Sequence, residues 1–126
     1  MKESTFQSNL KKELEDKGYL VWVISDSFTS GIPDIFIAKN GEVMWIELKV
    51  IHAKEGQTIH LSDRKSSSRG FEKIQKLKIY ELNQAGVDAF GLVYVPEVDK
   101  KIKIPCTMMG ESIEYKDLLN LPEMKF

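Results

Sequence analysis

Gly31-Ile32-Pro33-Asp34-Ile35-Phe36-Ile37-Ala38-Lys39-Asn40-Gly41-Glu42-Val43-Met44-Trp45-Ile46-Glu47-Leu48-Lys49 is the stretch on which the fold turns. An apolar run headed by Asp34 reaches Asn40-Gly41, a dipeptide suited to a two-residue hairpin turn. A second run returns and ends on Glu47 and Lys49. Strand residues two apart share a face, so Glu47 and Lys49 project side by side and the hairpin folds them back alongside Asp34. Two carboxylates and an ammonium then converge. Hard oxygen donors suit Mg²⁺ or Mn²⁺, and a lysine beside them can hold a water or steady negative charge developing on a phosphate.

Outward from this hairpin, Phe6, Leu10 and Leu14 recur at helical spacing and Gly18 follows as a terminator, which predicts a helix over residues 3–17. Glu3 and Gln7 fall in the same stripe as Leu10 and Leu14, so each needs an inward partner. The aromatic and β-branched run 19–24 reads as a strand and 25–30 as a loop. Residues 43–51 read as a strand with one apolar face, Met44, Ile46, Leu48 and Val50. The other face carries Glu47 and Lys49, which places the motif where the sheet is half-buried. The stretch 52–70 breaks the pattern and reads as a polar loop with Lys54, Arg64, Lys65 and Arg69 against Glu55 and Asp63. Helical spacing returns over 71–85 with Gln75 and Lys78 interrupting the apolar side, and Gly86 follows as a cap. Short strands over 88–95 and 102–105 and a short helix over 115–121 complete the chain. The order helix, three strands, helix, strand predicts an α/β fold with a central mixed β-sheet of four to five strands flanked by helices.

At 126 residues, 42% hydrophobic and 29% charged, the chain fits one globular domain over residues 1–126. A formal net charge of -1 excludes a generally basic nucleic-acid coat, so any contact with DNA must come from a local patch around an acidic centre. The lone Cys106 cannot form an intramolecular disulfide, and no apolar stretch has the length of a membrane span, which together predict a cytoplasmic protein with no membrane partner.

Pro33-Asp34 followed by Glu47-Leu48-Lys49 resembles the PD-(D/E)XK nuclease superfamily. Gly31-Ile32-Pro33-Asp34, Trp45 to Lys49 and the later Gln75, Leu82 and Gly86 look most like the virus-type replication-repair (VRR-NUC) nucleases and small phage endonucleases. The chain is also similar to Holliday junction resolvases. The resemblance implies a restriction-endonuclease-like core of order αβββαβ over residues 3–95, with 97–126 as an unassigned extension. It implies that Asp34, Glu47 and the backbone carbonyl of Leu48 bind Mg²⁺ or Mn²⁺, with Glu3 as an outer ligand. Lys49 would orient or help deprotonate water, and Gln75 would reach into the same site. The activity implied is hydrolysis of DNA phosphodiester bonds by in-line attack of metal-activated water, in phage or mobile-element replication, recombination or repair. Resolvases place their helix glutamate nearer Gln7, so Glu3 and Gln7 both stand as the helix partner. A homodimer is expected by analogy with junction-resolving enzymes, which cut symmetrically.

The basic residues Lys54, Arg64, Lys65 and Arg69 follow the motif strand and are expected to meet the phosphate backbone. His52 and His60 lie in a loop with no cysteine partner, a poor zinc pattern. Trp22 and Trp45 read first as sheet-face packing and Cys106 as a small buried residue. Nothing in the chain reads bases. The competing reading is a non-catalytic DNA-binding or protein-interaction domain on a nuclease fold; a second alternative is a small protein that binds and inhibits a host enzyme, for which the acidic stretch from Glu111 to Glu123 is the one sequence hint.

Overall fold

The computed structural model describes residues 1–24, 31–62 and 70–126. The chain runs α1 (Glu3–Asp16), β1 (Leu20–Val23), β2 (Ile35–Lys39), β3 (Glu42–Val50), β4 (Thr58–His60), α2 (Lys73–Gln84), β5 (Ala89–Val95), β6 (Lys100–Ile104), β7 (Ser112–Glu114) and α3 (Tyr115–Leu119). Five strands form the main sheet in the order β1-β2-β3-β5-β6, and β4 pairs with β7 in a small second sheet. The first three strands are antiparallel, β3 and β5 are parallel, and β5 and β6 are antiparallel. A parallel pair cannot be joined by a tight turn; the crossover from β3 to β5 contains α2. This is the expected mixed α/β sheet, with β6 as its fifth strand.

The local signals act where their chemistry predicts. Asn40 (φ 54°) and Gly41 (φ 80°) both take the left-handed backbone of a two-residue hairpin turn between β2 and β3. Both long helices end in the same way. Beyond α1, Gly18 N–H donates to Glu15 and Tyr19 N–H to Leu14; beyond α2, Gly86 N–H donates to Asn83 and Val87 N–H to Leu82. These paired bonds satisfy the last carbonyls of each helix.

Two apolar clusters sandwich the sheet. Phe6, Leu10 and Leu14 of α1 pack on Ile35, Ile37, Ile46, Leu48, Phe90 and Leu92. On the opposite face, Ile79 of α2 joins Ala89, Val93, Val95, Ile102 and Ile104 together with Phe71, Met109 and Leu118. The interior strand β5 is buried along its whole length, as expected of a strand covered on both faces.

Two expectations change. The polar stretch 52–70 is not loop throughout, because Thr58–His60 pairs antiparallel with Ser112–Glu114. A three-residue strand with one inward side chain, Ile59, is too short to register as periodicity. The final thirty residues are likewise built into the fold. β6 extends the main sheet, Leu118 is buried, and Met124 N–H donates to the carbonyl of Lys101. The stretch from Glu111 to Glu123 is therefore docked on the body and is not a free acidic tail. The loop expected over 25–30 lies outside the described residues.

Candidate active site

The hairpin brings Asp34, just ahead of β2, beside the end of β3, where Glu47 and Lys49 share one face. That face is not half-buried there, as the alternation of the strand suggests. Glu47 is 2% exposed and Lys49 8%. On the neighbouring strand, Gly91 pairs in register with Glu47. A Cβ at Gly91 would come within 2.5 Å of Phe71 Cζ and 2.8 Å of Met109 Cε, so the missing side chain is what lets these two groups close over the strand. Gly91→Ala is accordingly expected to destabilise the fold by about 1–3 kcal/mol through overpacking, read as a lower urea midpoint at unchanged slope. An unchanged midpoint would mean that Phe71 and Met109 do not need the space.

Each carboxylate is held by a specific donor. Leu48 N–H donates to Asp34 Oδ2 at 2.7 Å, and Gln75 Nε2 donates to Glu47 Oε1 at 2.6 Å. The other end of the Gln75 amide accepts from Glu72 N–H at 2.9 Å, which fixes which way the amide faces. Gln75 stands in the first turn of α2 and so ties the start of that helix to the acid on β3. Gly31 (φ 82°) allows the matching approach from the other side. A Cβ there would lie 2.7 Å from the carbonyl oxygen of Ile74, so the lead into Asp34 rests directly on α2.

Glu47 Oε2 is buried and has no hydrogen-bond partner among the described residues. An ionised carboxylate in that position is costly. Burial first, and then the charge of Asp34, push the Glu47 pKa up to about 9, against the lowering influence of Lys49. Protonated, Glu47 can share its proton with Asp34, which raises Glu47 further and offsets part of the rise that burial imposes on Asp34. The Asp34 carboxyl stays above its ordinary range, because desolvation outweighs the Leu48 N–H and Lys49.

Glu3 belongs to the same electrostatic group although its side chain is exposed. Its pKa is raised, by desolvation first, with Lys49 lowering it, Asp34 raising it and the Val50 backbone N–H lowering it. Gln7 makes no side-chain hydrogen bond among the described residues, so of the two helix partners Glu3 is the one coupled to the acids. Lys49 makes no direct ion pair among the described residues, and its ammonium is left to act on whatever enters.

Asp34, Glu47, Lys49, Gln75 and Glu3 thus come together. Lys54 does not join them. It sits exposed in a turn where its N–H donates to Gln57 Oε1 at 2.9 Å. Arg64, Lys65 and Arg69 lie outside the described residues. The histidines are engaged elsewhere, His52 Nδ1 with Glu97 Oε2 at 2.6 Å and His60 Nδ1 with Ser112 Oγ at 2.8 Å. Phe71 and Gly91 carried no sequence signal of a site, because neither has a polar group. Glu72 was detectable only as the residue three before Gln75, the spacing of a reciprocal helix cap.

The donors available to a cation are oxygens: Glu47 Oε2 with no other partner, the Asp34 carboxylate and the Leu48 carbonyl, which in an extended strand faces the same side as the N–H that Asp34 receives. This set fits a hard divalent ion. Among the described residues no three His, Cys, Asp or Glu side chains form a ready-made metal cage. That is compatible with Mg²⁺, which usually takes one or two carboxylates and keeps several waters.

By sequence, the chain matches no family model and no curated protein. By structure it is similar to the Holliday junction resolvase Hjc of the archaeal hyperthermophile Archaeoglobus fulgidus, 18% identical over 95% of this chain and 94% of that one, with a TM-score of 0.66. It is also similar to a bacterial homing endonuclease, 12% identical over 90% of this chain and 72% of that one, with a TM-score of 0.53. At these identities what is shared is the fold.

Proposed function

We propose that this chain is a PD-(D/E)XK nuclease domain, a Mg²⁺- or Mn²⁺-dependent DNA endonuclease that hydrolyses phosphodiester bonds. It would select substrates by DNA structure, working in the cytoplasm as a homodimer in phage or mobile-element replication, recombination or repair. The observation that carries the reading is Glu47 Oε2, buried without a partner beside Asp34 and Lys49 on a fold shared with two DNA-cutting enzymes. A buried carboxylate oxygen without a donor costs stability, and a bound cation removes that cost.

Asp34, Glu47 and the Leu48 carbonyl would hold the ion. When bound, it supplies Lewis-acid polarisation of a phosphate oxygen and a lowered pKa for water. Gln75 restrains Glu47 Oε1, leaving Oε2 as the oxygen presented to the ion. Lys49 projects on the same face as Glu47, where its ammonium can hold the attacking water and stabilise charge developing on the phosphorus oxygens. Glu3, coupled to Lys49 and Asp34, would accept a hydrogen bond from that water. Lys54 and, from the same segment, Arg64, Lys65 and Arg69 would neutralise backbone phosphates.

The test is incubation with Mg²⁺ or Mn²⁺ and a panel of supercoiled plasmid, linear duplex, flap, four-way junction and single-stranded DNA. Cleavage lost in Asp34→Ala is the expected result, and cleavage that persists in it would place the site elsewhere. The same chemistry makes metal binding depend on pH. Below about pH 9 Glu47 carries a proton that must leave before it can ligate. Mg²⁺ affinity should therefore rise about tenfold per pH unit between about pH 6 and pH 8. Calorimetry in buffers of different ionisation enthalpy should find close to one proton released per ion, and a flat pH dependence would remove Glu47 from the ligand set.

A further inference from the structure

Among the described residues, a groove of about 290 Å³ runs between Trp45 and the flank of α2 and continues the candidate active site. Each element that supplies the site also supplies a wall. Pro33 immediately precedes Asp34, and Trp45 stands two residues before Glu47 on the same face of β3. Lys78 follows Gln75 by about one turn on the same side of α2. The Gln75–Glu47 hydrogen bond spans the gap between helix and strand at the acidic end, so groove and acids form one trough. Leu82 and Ala85 extend the apolar wall along the helix. A side chain at Gly31 would collide with the Ile74 carbonyl, so the lead through Pro33 is held directly against α2. The polar lining is Lys78 and Glu81, with Nζ and Oε2 3.4 Å apart.

We propose that this groove holds one unpaired nucleobase of the DNA strand being cut, with Trp45 as its stacking partner and Lys78 on an adjoining phosphate. Three observations choose that occupant. The volume lies at the lower end of the range for small-ligand sites, which suits one flat base and is too small for a docked helix. A half-buried indole among apolar walls with an ammonium beside it is the composition of a single-strand platform, where a ring meets the base and a cation the phosphate. Trp45 lies one same-face step of the strand, about 7 Å, from Glu47, a separation that a single nucleotide spans.

The proposal rests on the nuclease reading above and deepens it. A base inside a duplex must leave its stack before it can enter the groove, a cost that an already unpaired nucleotide does not carry. Selection by DNA structure then becomes a property of the site itself. Stacking tolerates any base, in keeping with a chain that has no sequence-reading module.

Titration of the full chain with a labelled oligothymidine and with an abasic strand of the same length, with Ca²⁺ in place of Mg²⁺, tests it. The wild type should prefer the strand with bases by about ten- to a hundredfold. Trp45→Ala and, separately, Ala85→Trp, which fills the groove from the exposed end of α2, should abolish that preference. Unchanged circular dichroism and calorimetric Mg²⁺ binding would show that fold and acids survive, and if Trp45→Ala fails to fold, Ala85→Trp decides alone. Trp22→Ala, at an indole that is 55% exposed outside the groove, should keep the preference. A wild type indifferent to the bases, or a folded groove variant that still prefers them, would overturn the proposal. So would a preference lost equally in Trp22→Ala, since the bases would then lie on the open sheet. A dimer that Ala85→Trp dissociates with the preference intact would give the groove to a second copy instead. A preference lost in both groove variants of a protein that cuts no DNA with Mg²⁺ or Mn²⁺ would leave the base site standing and remove the nuclease reading.

Discussion

Glu47→Gln is expected to lower DNA cleavage by about a thousandfold or more while making the metal-free protein more stable. The loss follows from removing a charged ligand, since the several kcal/mol of charge stabilisation that a correctly held ion supplies correspond to factors of this size. The gain follows from linkage. The Glu47 pKa is about 9 in the folded chain against an ordinary 4.5, so between these values the native state holds a proton that the unfolded state has released. Stability of the wild type therefore falls as pH rises from about 4.5 towards 9, and the fall ceases above that range. A glutamine has no proton to lose, keeps an oxygen for Gln75 Nε2 and offers its amide hydrogens to Asp34. The variant and the wild type should unfold alike in urea near pH 4.5, with a gap in favour of the variant on the order of 2 to 4 kcal/mol by about pH 8. A variant no more stable than the wild type at that pH would mean that the carboxylate is not strained by its burial.

Lys49→Ala should separate binding from chemistry. The ammonium lies within the field of Asp34, Glu47 and Glu3 and favours the ionised form of each. For an incoming divalent cation it is a like charge. Its removal should leave Mg²⁺ affinity undiminished once pH is high enough to ionise Glu47, yet cleavage should drop about 10²- to 10³-fold, the range typical of deleting one preorganised donor to a developing oxyanion. Titration of the ion and single-turnover cleavage read the two quantities independently. Affinity and rate falling together would make Lys49 a structural support of the ligands and not a participant.

The backbone of this site was legible from the sequence, and its depth was not. Asp34, the Asn40-Gly41 turn and the Glu47-Leu48-Lys49 end are local features whose placement needs only strand alternation and a tight turn. Burial depends on partners distant in sequence. The strand paired with β3 sets Gly91 opposite Glu47 and Phe71 packs against that glycine, and neither residue carries a charge or a periodicity that would link it to β3. The same limit explains β4, which exists because Ser112–Glu114 comes alongside, and α3, which packs because Leu118 finds the space behind it. Glu3 illustrates the opposite case. Its helical stripe already demanded an inward partner, and the fold supplies Lys49 and the Val50 N–H.

The amide of Gln75 joins two things usually measured apart, the fraying of a helix end and the occupancy of a site. One end of it closes the first turn of α2 at Glu72 N–H, and the other grips Glu47. The Glu72 amide proton is thus a spectroscopic gauge built into the chain. As a cation immobilises Glu47, Gln75 loses freedom and the Glu72 proton should exchange with solvent more slowly, so the catalytic state could be followed in time from a backbone signal with no DNA present.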